Sequence, residues 1–137
     1  AQAYIGKFED EEGERLQGGN NYVIHVDKDV PAELFWSIVI YDTDTRCLID
    51  NREGAAGGKA TMGSKTPGLR TNEDGSYYML LGPEAPPEGW EANHVQTIPG
   101  RGWFPYMRAY GAKAEFFNDE YKFPTVTKVE DFSEYVK

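Results

Sequence analysis

The polar side chains best placed to do chemistry lie between Trp90 and Trp103, where Trp90-Glu91-Ala92-Asn93-His94 and Gly100-Arg101-Gly102-Trp103 flank a Pro99-Gly100 turn. A guanidinium beside a flat indole suits an anionic ligand, with Arg101 as a fixed cation and Trp103 as an apolar wall. Asn93 and His94 add hydrogen-bonding groups. The plainer reading of the same stretch is a loop that caps the core, its tryptophan packed and its arginine paired with one of 23 acidic residues. Upstream, Asp42 and Arg46 bracket the turn Asp42-Thr43-Asp44-Thr45 and are spaced for a local ion pair. The candidate ligand-binding residues are therefore Asp42, Arg46, Asn93, His94, Arg101 and Trp103. Arg108, if half-buried, needs an acidic partner, because an unpaired buried guanidinium is costly.

Motifs for other chemistries fall short, and catalytic residues stay unassigned. Gly57-Gly58-Lys59-Ala60-Thr61 has Glu53 where a phosphate-binding loop needs glycine and Ala60 where it needs a hydroxyl. Asn72-Glu73-Asp74-Gly75 would make Arg70 and Leu81 calcium ligands, so it reads as a plain turn. His25 and His94 are the only histidines, which leaves no zinc pattern; no metal or cofactor is expected. None of Ser37, Ser64, Ser76 or Ser133 sits in a nucleophile elbow or beside a base that the sequence identifies.

The elements that must position these residues are short strands. Tyr22-Val23-Ile24-His25-Val26, Phe35-Trp36-Ser37-Ile38-Val39-Ile40-Tyr41 and Ser76-Tyr77-Tyr78-Met79-Leu80-Leu81 are β-branched or aromatic runs bounded by turn residues. Neither face of the second run is plainly polar, which predicts a central strand covered on both sides. Val95-Gln96-Thr97-Ile98, residues 103–110 and residues 125–129 complete the set, with Pro105 pointing to an edge or a bulge. Residues 50–69 hold five glycines and no periodicity, and read as a long loop. The only helical hint is residues 113–118. Many short strands and almost no amphipathic helix predict a mainly β chain, an antiparallel β-sandwich of jelly-roll type with a short helix and long loops.

At 137 residues the chain has the size of one domain. A net charge of −9 argues against nucleic acid and anionic membrane surfaces as partners, and no apolar run is long enough to span a bilayer. The start, Ala1-Gln2-Ala3, lacks methionine and suits a fragment of a larger protein; the compartment stays open. Cys47 is the only cysteine, so the fold rests on packing, and it is expected to be a buried thiol.

Several segments in fixed order resemble a known family: Phe35-Trp36-Ser37, Tyr41-Asp42 with Thr45-Arg46, Gly82-Pro83-Glu84-Ala85-Pro86, Gly102-Trp103-Phe104 and Arg108-Ala109-Tyr110-Gly111. Over residues 4–129 the chain is similar to the bacterial domain of unknown function 1214. The resemblance implies a jelly-roll-like sandwich at the C-terminal end of a two-domain protein, behind a companion N-terminal domain of unknown function 1254, and no settled activity. His94 stands where that family more commonly has tryptophan. The resulting expectation is an accessory binding or interaction domain for a small anionic or carbohydrate-like ligand or for the companion domain. The alternative is part of a hydrolytic enzyme with its active site against the missing domain, using Asp42, Arg46, His94 and Arg101.

Overall fold

Alternating apolar residues become the inner faces of two sheets. The computed structural model describes residues 2–51, 59–117 and 121–136. Its strands are β1 Gln2–Gly6, β2 Asn21–Val26, β3 Ala32–Asp42, β4 Thr61–Gly63, β5 Tyr77–Gly82, β6 His94–Gln96, β7 Trp103–Ala112 and β8 Val126–Val129, with one short helix, α1, at Ala114–Phe117. They form two four-stranded sheets, β1-β7-β3-β4 and β6-β5-β2-β8. The mainly β expectation holds. It is not antiparallel throughout, because β6 runs parallel to β5.

The two sheets share one core. Trp36, Ile38 and Ile40 of β3 and Met107 and Ala109 of β7 cluster with Tyr22, Ile24 and Val26 of β2 and Met79 and Leu81 of β5. Each such side chain contributes about 1.5–3 kcal/mol by leaving water. Trp103 joins them edge-on to Tyr22, ring centres 5.4 Å apart.

The outer faces differ. On β2 and β5, Val23 and Leu80 point away from the main core into a second cluster with Trp90, Val129, Phe132 and Val136. A one-turn helix at Phe132–Glu134, capped by Asp131, brings Phe132 over that face. The outer face of β1-β7-β3 carries no such covering cluster among the described residues.

Three expectations change. The predicted loop at 50–69 contains β4, which pairs with Ser37–Val39 of β3; a three-residue edge strand is too short to show alternation. The glycines at 54, 57 and 58 of that segment lie outside the described residues. Pro105 sits in a strand flanked on both sides, not at a sheet edge. It costs one bond only, at the end of the β1 ladder: Ile40 donates its N–H away from β7, to Ala60, while Lys7, just past Gly6, donates to the Pro105 carbonyl and receives no bond in return. Cys47 is exposed, not buried, because it lies on the surface turn while Ile49, two residues on, supplies the buried anchor. The strand β1 was not anticipated, since its only apolar signal is Tyr4-Ile5.

Candidate functional site

Strand register sets a row of rings and cations on the outer face of β1-β7-β3. Along β7 the outward positions are Phe104, Tyr106, Arg108 and Tyr110, opposite Tyr41, Val39, Ser37 and Phe35 of β3. Tyr4 of β1 stands opposite Arg108 from the other side. Tyr41 stacks on Phe104 at 5.5 Å and 15°, and Tyr106 meets them edge-on at 84° and 69°. Tyr4, Phe8, Tyr41, Arg46, Phe104, Tyr106 and Arg108 line an open groove of about 470 Å³. Its volume is that of a small-ligand site, and it contains two guanidiniums and no carboxylate.

Arg108 does not take the acidic partner expected for it. It is half-buried, donates from Nη2 to the Tyr41 hydroxyl at 2.8 Å, and lies 5.7 Å from the Tyr4 ring centre. The neighbouring Tyr110 and Tyr41 hydroxyls hold its pKa above the ordinary arginine value against the effect of burial, so it is always a cation. Its Nε–H is buried with no hydrogen-bond partner. Neutral acceptors orient the charge without cancelling it.

The six candidates from sequence do not form one site. Asp42, buried at the end of β3, accepts from Arg101 through Nε and, at 3.1 Å, through Nη2. Its Oδ1 also accepts the N–H groups of Asp44 and Thr45. The expected Asp42–Arg46 pair is therefore replaced by Asp42–Arg101. The Arg101 bond holds the Asp42 carboxyl below the usual carboxylate range despite burial. Arg46 donates from Nε to the Thr43 carbonyl and lies 6.0 Å from the Phe104 ring centre, lining the groove. Trp103 is 1% exposed and belongs to the core.

His94 opens β6 of the other sheet, and Asn93 ends the one-turn helix Glu91–Asn93 just before it. Asn93 is fully buried; it accepts from the Arg70 N–H and donates to the Arg70 and Tyr78 carbonyls, a cross-link and not a ligand group. His94 is buried against Phe132, with Nε2 3.3 Å from the Gly82 carbonyl. Burial pushes its pKa down to about 4, helped by the nearby Lys59 charge. It is neutral near pH 7.

Ser76 has the neighbouring base that sequence could not identify, yet not in a triad. Its hydroxyl lies 2.6 Å from Asp74 Oδ1 and 3.0 Å from His25 Nε2. The single hydroxyl proton goes to the carboxylate, so His25 must donate to the serine and cannot act as its base. Among the described residues no three His, Cys, Asp or Glu side chains are grouped to hold a metal ion, and no helix is long and apolar enough to cross a membrane.

Asp42→Ala is expected to lower the unfolding free energy by about 2 kcal/mol in urea denaturation, because two turn amides and a charge-assisted pair lose their acceptor. Arg101→Ala should cost clearly less: its side chain is 42% exposed and the Asp42 turn bonds survive. Equal, small losses would show that the pair does not anchor the turn.

The groove residues Tyr4, Phe8, Tyr41, Phe104 and Tyr106 were missed by sequence reasoning. A signal was present in the alternation Phe104, Tyr106, Arg108, Tyr110, an outward face of rings and a cation with no aliphatic residue.

A family model described as "Protein of unknown function (DUF1214)" matches residues 1–114. The solved VPA0106 protein of Vibrio parahaemolyticus has a similar fold, with a TM-score of 0.80 and 24% identity over 93% of this chain. An uncharacterised protein from Burkholderia cenocepacia gives a TM-score of 0.50 at 11% identity, also over 93% of this chain. The chain spans 30% and 34% of those two solved chains. No curated protein matches it.

Proposed function

This chain belongs to the DUF1214 family, and on that premise we propose that it is a non-catalytic binding domain of a longer protein, taking a small anionic or carbohydrate-like ligand on the outer face of β1-β7-β3. The observation that carries this reading is the groove that pairs aromatic walls with Arg46 and Arg108 and includes no carboxylate, in a chain with 23 acidic residues. A surface so poor in local counter-charge favours an anion from outside. The jelly-roll arrangement belongs to the same reading, supported by the way β1, β2 and β3 alternate between the sheets. The hydrolytic alternative finds less support, because His94 is sealed beneath Phe132 while Asp42 and Arg101 satisfy each other.

A second reading has its own observation. Tyr4 and Phe8 are 55% and 53% exposed, and the chain spans about a third of its solved relatives, so this face also suits packing against a companion domain.

Heat unfolding of this chain with benzoate, glucuronate, glucose and sulfate separates the two. A ligand at about 100 times its dissociation constant adds roughly 2.7 kcal/mol, a rise of several degrees. The expected result is a rise with at least one anion that Arg108→Gln abolishes. No rise with any probe, or the same rise in Arg108→Gln, removes the ligand reading and leaves the companion domain.

A further inference from the structure

Resting on the ligand-binding reading, we infer that the groove selects an aryl oxyanion, a carboxylate, sulfate or phosphate carried on a flat aromatic ring, and that Arg46 is the residue that grips the anion.

Arg46 has a backbone that its residue type disfavours. Its φ is 61°, and it is the only non-glycine residue with positive φ among those described. The turn enforces this conformation: its N–H donates to the Asp42 carbonyl at 2.9 Å and its Nε to the Thr43 carbonyl at 3.1 Å. Glycine would meet the same backbone requirement without strain. An arginine here therefore weakens the turn locally, and its guanidinium lies against Phe104 in the groove. The carboxylate four residues back does not neutralise it, because Asp42 is engaged by Arg101. With Nε committed to Thr43, the terminal amino groups are left to face a ligand.

The walls favour a ring over a sugar. Tyr41 and Tyr106 are half-buried and stand at 84° to each other, over a Phe104 that is itself buried beneath Phe8, so an aryl ligand gains face and edge contacts from the two tyrosines together. The lining includes no Asn, Gln, Asp or Glu side chain to accept from sugar hydroxyls. Arg108, fixed by Tyr41, supplies the second cation, and its buried Nε–H has no acceptor of its own.

The test titrates benzoate, its neutral isostere benzamide, and glucuronate into this chain by calorimetry, with Arg46→Gly and Arg46→Ala beside it. Benzoate should bind about tenfold or more tightly than the other two, as one charge-assisted contact implies. Arg46→Gly should lose about tenfold in benzoate affinity while its melting temperature holds or rises. Arg46→Ala, which keeps a Cβ in the left-handed turn, should melt below Arg46→Gly. Benzoate bound no better than benzamide or glucuronate, or bound equally well by Arg46→Gly, overturns the inference. If that binding still needs Arg108, the groove remains a ligand site and only the assignment to Arg46 and an aryl anion falls. If no probe binds, the ligand reading falls and the inference falls with it.

Discussion

Trp103→Ala is expected to lower the unfolding free energy by about 3–5 kcal/mol, with a fall in melting temperature on the order of 10 °C or more. The indole is 1% exposed, packs edge-on to Tyr22 across the two sheets, and belongs to the main buried cluster. Its removal leaves a cavity that strands held by two sheets cannot collapse to fill. Against a total stability of about 5–15 kcal/mol for a domain, this is the largest single-residue effect foreseen. Trp103→Phe should cost much less, because it keeps a ring and removes an indole N–H that is buried without a partner. Chemical denaturation followed by circular dichroism measures both. A loss below about 1 kcal/mol for the alanine variant, together with lost ligand binding, would return Trp103 to the role of a ligand wall.

Acid should destabilise this protein well before its carboxylates titrate. His94 has a folded pKa of about 4 against an ordinary value of 6.5, chiefly through burial. Between those values the unfolded chain holds the extra proton. Stability is therefore complete above about pH 6.5, declines as pH falls, and levels off below about 4, with a total loss of roughly 3 kcal/mol. His94→Gln cannot ionise and keeps a donor for the Gly82 carbonyl. Its stability should be nearly flat across that window. The Asp42 carboxyl contributes separately: its depressed pKa adds stability that is present above the ordinary carboxylate value and is lost below it. An unchanged slope between pH 6.5 and 4 in His94→Gln would mean that the imidazole is not the group responsible.

The domain's class was legible because strands announce themselves locally. Six of the eight strands coincide with runs of β-branched and aromatic residues between turns, and the acceptor role of Asp42 follows from its place ahead of Thr43-Asp44-Thr45. Strand β1 and strand β4 were not legible, since both draw their order from pairing with β7 and β3 and carry little pattern of their own.

The sequence by itself determined the mainly β character, the turn chemistry at Asp42, the helical residues near 114 and the family resemblance. Only the tertiary structure decided which cations are neutralised. Asp42 is four residues from Arg46 and fifty-nine from Arg101, yet it pairs with Arg101 at the approach to β7 and leaves Arg46 over Phe104. The groove arises in the same way, because Tyr4, Tyr41 and Arg108 become neighbours only when β1 and β3 take their register on β7. Local pattern reports which face of a strand is apolar; sheet order and register, set by long-range packing, determine what that face meets.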